Sequence, residues 1–335
     1  MASKPNVIFF LLLVTITFVK TQILGNLLGN TVEGLLGSTE DFALNFTERT
    51  ARFGFESDEH KVITEDGYVL TVFRMRKKDC GELNKTPVIL WHALTQTADD
   101  WLAAGINGSL AYPIAGECHD LWLANDRGNY YSRAHVRLNP DKDSKFWDYS
   151  FDEIGRYDVP ATINYILKYT GEDKVNFIGF SQGATSLLIS CSERPRYCDS
   201  KVNVFLGLAP AVKISNMKST LLRVVLESLN QFKGILTTLG INEVLARGGA
   251  TQDLTGLLCI LSPTASILCG AGAGTIDSFH PGSITGETWQ TELPNMLEAY
   301  KVSDPSWNHM DMAYSQNINT MIFPKVKEYL NYNKQ

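Results

Sequence analysis

The chain has 335 residues, 44% of them apolar, with 12 prolines and a net charge of −6. That is room for one large globular domain or two small ones. The charge comes without any basic block, which excludes the usual footprint of a nucleic-acid-binding surface.

Residues 1–22 read as an export signal. Lys4 supplies a positive start, and the apolar run over residues 7–19 is too short for a bilayer but suits a signal peptide. Cleavage is expected near residues 20–22, with an uncleaved anchor as the alternative, and no later stretch is long enough to cross a membrane. Three glycosylation sequons fit an exported chain, at Asn45, Asn84 and Asn107; Pro87 follows the second and counts against it. Residues 23–50, rich in Gly and Leu, read either as a propeptide or as a docked arm.

Six cysteines (Cys80, Cys118, Cys191, Cys198, Cys259, Cys269) allow fifteen pairings. The short-range pairs Cys191 with Cys198 and Cys259 with Cys269 are the easiest to close. No Cys-x-x-Cys or His-Glu-x-x-His spacing is present, so no metal is expected, and no cofactor either.

Residues 60–76 alternate in polarity around Glu65-Asp66-Gly67, a hairpin signal. Residues 87–91 and 120–124 read as buried strands, and residues 151–169 have helical spacing interrupted by Pro160. Val175, Phe177 and Ile178 then form a short apolar strand that runs directly into Gly179-Phe180-Ser181-Gln182-Gly183 and a helix. Residues 202–208 are a further strand. Strands alternating with helices predict a mostly parallel sheet. From residue 211 to 289 the chain reads as an apolar helical region, either a plain layer on the core or a lid over Ser181. A strand at 299–302 and a closing helix over 310–332 complete the core, which takes in residues 51–210 and 290–335.

Strand, Gly-x-Ser-x-Gly, helix is the context of a nucleophile elbow. A serine hydroxyl is a poor nucleophile unless a base stands beside it, and a tight strand-to-helix turn presents Ser181 to such a base. The N–H of Gln182, at the start of the helix, then faces the position where an oxyanion forms. In this arrangement the histidine follows the serine, and only His280 and His309 do so. His309 lies after a late strand and before the closing helix, where the base belongs; a surface-loop histidine is the bland reading. The second oxyanion donor is expected from the loop after the 87–91 strand, as the N–H of Leu94, with His92 read as a packed histidine ordering that turn.

These motifs, with Thr64-Glu-Asp-Gly-Tyr68, Asp120-Leu-Trp-Leu-Ala-Asn-Asp-Arg-Gly-Asn129, Ser150-Phe-Asp-Glu153, Tyr157-Asp-Val-Pro-Ala161, Leu208-Ala-Pro210 and Asn308-His-Met-Asp311, resemble the acid lipase family of α/β-hydrolases. That family includes gastric and lysosomal acid lipases and many insect digestive lipases. The resemblance implies an α/β-hydrolase fold with a helical cap, Ser181 as nucleophile, His309 as base and the N–H groups of Leu94 and Gln182 as oxyanion hole. It also implies a Cys259–Cys269 disulfide. The implied activity is that of a secreted or lysosomal carboxylic-ester hydrolase, meeting acylglycerols or sterol esters at an oil–water interface.

Three departures stand out. Phe180 replaces the usual histidine before the nucleophile, and Ala93 the usual glycine before the oxyanion leucine. The third is a gap after residue 283, where the family has more cap and a core strand carrying the triad acid. Asp277 is a weak candidate for that acid, since it also falls naturally in the cap. The alternative reading is therefore a lipid-binding or carrier homologue with impaired turnover, and a faulty gene model would also explain the gap.

Overall fold

A computed structural model of the chain describes residues 44–81, 83–211, 300, 302, 312, 315 and 317–331. Backbone contacts group residues 1–49 as one compact unit and residues 50–335 as another. Helix α1, Phe46–Arg52, is capped by Asn45, whose Oδ1 accepts the Glu48 N–H at 2.9 Å.

Strands β1 (Phe55–Ile63) and β2 (Val69–Lys77) form the antiparallel hairpin expected around Glu65-Asp66-Gly67. The turn closes through Thr64, whose hydroxyl donates to Asp66 Oδ1 at 2.6 Å and accepts the Tyr68 N–H at 2.9 Å. Gly67 has φ +101, and a Cβ there would lie 2.9 Å from the His135 ring, so glycine is required twice over.

The hairpin leads to β3 (Asn84–Trp91), helix α2 (Ala111–Gly116) and β4 (His119–Leu123). Next come helix α3 (Val159–Thr170), β5 (Val175–Phe180), helix α4 (Gln182–Glu193), helix α5 (Pro195–Lys201) and β6 (Val202–Leu208). A short turn of helix, Ile318–Met321, and α6, Phe323–Leu330, follow near the C-terminus. Pro160 does not break a helix as its position suggested. It sits in the first turn of α3, where its missing N–H costs nothing, and the irregularity lies before it as a π-helical stretch, Ile154–Asp158. A Cβ on Gly155 in that stretch would meet Ile189 Cβ of α4 at 2.7 Å, so the two helices approach closely there.

Among the described residues the sheet has six strands in the order β1-β2-β4-β3-β5-β6, antiparallel on the β1 side and parallel from β4 to β6. Every residue of β4 and β5 is buried, including the polar His119, Asp120 and Asn176, as in a sheet covered on both faces. Alternate residues point to opposite faces. Ile89, Trp91, Trp122, Val175 and Phe177 join Ile163, Ile166 and Leu167 of α3 and Leu187 of α4 in one core cluster. On the other face Phe180 meets Trp101, ring centroids 6.4 Å apart.

The strand order sets the position of the site. From β3 the chain steps to β4 on one side, and β5 and β6 build out on the other. The switch point therefore lies between β3 and β5, the position at whose C-terminal strand ends sheets of this kind bind their ligands. Trp91 pairs with Gly179 across that boundary, so the loop after β3 stands beside the turn after β5.

Of the strand expected at 299–302, only Tyr300 and Val302 are described, and neither pairs with another strand among the described residues. The helical region at 212–289 lies outside the described residues. No helix among the described residues is long and apolar enough to cross a membrane.

Candidate active site

Ser181 is the single residue between β5 and α4. Its backbone has φ 50 and ψ −112, a conformation that a residue with a side chain adopts only when its surroundings enforce it. The enforcement comes from both sides. The Ser181 N–H donates to Leu208 O at 2.9 Å, continuing the β5–β6 ladder, while its carbonyl already accepts the Ala184 and Thr185 N–H groups at 3.1 and 3.2 Å, the first turn of α4.

The two glycines of the motif are there because nothing larger fits. A Cβ on Gly179 would lie 2.5 Å from Ala184 N. One on Gly183 would lie 2.4 Å from Trp91 O and 2.7 Å from His92 O, so the first turn of α4 is pressed against the end of β3 as well as against its own strand.

Two backbone donors remain open at this junction. The first N–H groups of a helix have no intrahelical acceptor, and among the described residues that of Gln182 has no partner. In the loop after β3, the Ala93 N–H donates to Gln96 Oε1 at 2.9 Å and the Gln96 N–H returns to Ala93 O at 3.2 Å. The Leu94 N–H between them has no partner among the described residues, and the Leu94 residue is 65% exposed. Thr95, with φ 65, turns the chain out of the loop. Ala93 is not among the residues with positive φ, so its methyl is carried without backbone strain. Ser181 itself is largely buried, 9% exposed, and the two N–H groups without a partner among the described residues come from separate segments, the loop after β3 and the start of α4.

His92 is buried, and both its ring nitrogens are occupied. Nε2 lies 3.1 Å from the Asp126 N–H and 3.1 Å from Asn129 Nδ2. Asn129 Oδ1 accepts the Tyr131 and Ser132 N–H groups, which fixes the orientation of that amide. Nε2 is therefore an acceptor, and Nδ1 carries the proton that it donates to Ala93 O at 2.8 Å. The ring staples the loop and has no lone pair left to serve as a base for Ser181.

Sequence reasoning passed over Asp126. Its carboxylate accepts from Trp91 Nε1 and, at 3.1 Å, from Gln182 Nε2. Burial pushes this carboxyl above the ordinary aspartate range. The only sequence signal was its place in the 120–129 motif. Its neighbour Arg127 turns the other way, to Asp158 and Asp66 at 2.6 Å each, with its guanidinium over the Tyr68 ring.

His309, His280, Asp277, Cys259 and Cys269 lie outside the described residues. Two disulfides are present among the described residues: the short-range Cys191–Cys198, and Cys80–Cys118, which joins residues 38 apart and which no local spacing announced. Of the sequons, Asn45 and Asn107 are exposed, and Asn84 opens β3. Among the described residues no group of His, Cys, Asp and Glu could hold a metal ion. A cavity of about 350 Å³ runs along α3, lined by Val62, Arg156, Asn164 and Lys168 among others, and includes no residue of the elbow.

Residues 46–105 match a family model described as a partial alpha/beta-hydrolase lipase region, and residues 86–233 one described as the alpha/beta hydrolase fold. The gastric triacylglycerol lipase of Mus musculus is 32% identical over 348 residues, covering 87% of this chain and 86% of that one. Lipase 1 of Drosophila melanogaster is 46% identical over 173 residues, 52% of this chain but only 38% of that relative's length. A crystal structure from Sulfolobus solfataricus, provisionally assigned as a lipase, superposes with a TM-score of 0.56 at 11% identity over 83% of this chain and 95% of that one, a likeness of fold. The alignment with the mouse enzyme, at 348 positions, is longer than the 335 residues of this chain, so part of that enzyme has no counterpart here.

Proposed function

We propose, from the premise that the chain belongs to the acid lipase family of α/β-hydrolases, that it is a carboxylic-ester hydrolase acting on acylglycerols or sterol esters. The observation that carries this reading is the strained Ser181 at the strand-to-helix turn, together with the N–H groups of Leu94 and Gln182, which have no partner among the described residues. In the proposed reaction the Ser181 oxygen attacks the ester carbonyl carbon and His309 takes the serine proton. The carbonyl oxygen, now negative, is held by the two N–H groups. The bond to the alcohol then breaks, the alcohol leaves with the proton from His309, and water releases the acid by the same steps. No cofactor enters.

The same reading takes residues 1–22 as an export signal, the product as secreted or lysosomal, and its working place as an oil–water interface. It takes Asn45, Asn84 and Asn107 as glycan acceptors and Cys259–Cys269 as a disulfide of a helical cap over residues 211–289. The gastric triacylglycerol lipase relatives support the substrate class.

A second reading has one observation in its favour, the stretch of the mouse enzyme that finds no counterpart here. If the triad acid lies in it, and Asp277 does not replace that acid, the chain is a lipid binder with impaired turnover. One experiment separates the two. The purified chain and Ser181→Ala are each given a chromogenic short-chain ester, and product per mole of protein is followed. Sustained turnover that falls by about 10³-fold or more in Ser181→Ala supports the hydrolase. Unchanged hydrolysis in the variant rules it out, and a single burst without turnover favours the binder.

A further inference from the structure

One buried carboxylate at the site has no part in that reaction. Asp126 stands just beyond the C-terminal end of β4 and is 5% exposed. Three of its polar atoms each reach a different residue. Its main-chain N–H donates to His92 Nε2 at 3.1 Å, Oδ1 accepts from Trp91 Nε1, and Oδ2 accepts from Gln182 Nε2 at 3.1 Å. Trp91 ends β3 and His92 opens the loop that carries Leu94, whereas Gln182 begins α4. A single residue is thus bonded to both segments that supply the free N–H groups.

The cost of this arrangement shows that it is specific. A buried carboxylate needs hydrogen bonds to compensate for lost water. Arg127 does not provide them, because its guanidinium is committed to Asp66 and Asp158. The two side-chain hydrogen bonds of Asp126 come from neutral donors, Trp91 and Gln182, one on each wall of the oxyanion site, and burial still leaves the carboxyl above its ordinary range. The His92 ring, which donates to Ala93 O, carries the same linkage one residue closer to Leu94.

We propose that Asp126 is a positioning residue for the oxyanion hole, tying the Gln182 and 92–95 segments together so that their two N–H groups hold the spacing a tetrahedral oxygen requires. This rests on the hydrolase reading above. Oxyanion donors must lie within about 2.7–3.1 Å of the developing negative oxygen, and a misplacement of about 1 Å can cost on the order of 10²-fold in rate.

The test uses an alkyl p-nitrophenyl phosphonate, which needs the nucleophile and the oxyanion hole but only one event per chain. The Ser181 oxygen forms a bond to phosphorus as its proton passes to His309, the bond to p-nitrophenolate breaks, and the phosphoryl oxygen occupies the oxyanion position. Nitrophenolate release gives the rate, and intact mass confirms one label. Asp126→Ala is expected to lower the limiting labelling rate by about 10- to 100-fold while leaving the half-saturating reagent concentration unchanged. Adding Gln182→Ala to it should lower the rate little further, because both changes cut the same link. Asp126→Asn, nearly isosteric, keeps one acceptor and is expected to lose at least about fivefold.

Labelling of a folded Asp126→Ala at the wild-type rate would overturn the proposal, as would strictly additive losses in the double variant. If Asp126→Ala does not fold, Asp126→Asn decides alone, with wild-type labelling counting against the proposal. A wild-type chain that never takes the label fails at the earlier step, overturning the hydrolase reading and this inference with it.

Discussion

β5 and β6 are near copies in sequence, Val175-Asn-Phe-Ile-Gly-Phe180 beside Val202-Asn-Val-Phe-Leu-Gly-Leu208, and they pair with each other so that Gly179 faces Gly207 and Phe180 faces Leu208. Their surroundings differ. All six residues of β5 are buried, whereas in β6 only Val204 is. β5 lies between β3 and β6; β6 has β5 on one side and, among the described residues, no strand on the other. Composition made both strands. Position in the sheet made one of them the buried base of the elbow and left the other partly exposed.

Substitutions at matched positions can break this comparison. Phe177 is fully buried and stacks on Trp91, ring centroids 5.6 Å apart, whereas Phe205 is half-buried and touches the cluster through Phe177 at 6.2 Å. Phe177→Ala is expected to destabilise by about 4 kcal/mol and Phe205→Ala by about 2 kcal/mol or less, read from denaturant midpoints. Equal losses would mean that β6 is covered as fully as β5. The facing glycines offer a second contrast. A Cβ on Gly179 meets the backbone of α4 at 2.5 Å, so Gly179→Ala should cost about 3 kcal/mol and suppress esterase activity by distorting the elbow. A Cβ on Gly207 meets only the Phe205 ring at 3.3 Å and Pro210 at 3.5 Å, and Gly207→Ala should cost under about 1 kcal/mol.

The smallest expected effect is electrostatic. Asp126 bonds to both sides of the β3–β5 boundary, and its folded carboxyl is raised by burial above the value of 3.8 that it takes in the unfolded chain. The folded state therefore holds the proton more tightly. The group's contribution is fully present below pH 3.8 and is lost as pH rises through the folded value. Thermal melts from pH 4 upward should show this slope in the wild type and a shallower one in Asp126→Asn. An unchanged slope would assign it to other groups.

Much of the site was legible because its chemistry is short-range. The elbow needs a strand, a serine and two glycines within nine residues, and each requirement acts between neighbours: a ladder bond, a first helical turn, a Cβ that would clash. The β1–β2 turn is of the same kind, closed by Thr64, Asp66 and Gly67. The Leu94 loop was singled out by its place after the 87–91 strand more than by residue type, since nothing in Ala93-Leu94-Thr95 announces an open N–H.

What the sequence by itself determined is therefore the local alphabet: which segments are strands, where Ser181 sits between strand and helix, and which glycines the turn demands. Only the tertiary structure decided that β3 and β5 adjoin at the switch point, that β6 is partly exposed while its near copy is buried, and that Cys80 meets Cys118. It also decided that Asp126 meets Gln182, 56 residues away in the chain. The physical reason is range. Hydrogen-bond geometry and steric exclusion act within a few residues and leave their mark on spacing. Burial and long-range pairing depend on where the chain returns, and a buried aspartate carries no sign in the sequence of which donors will meet it.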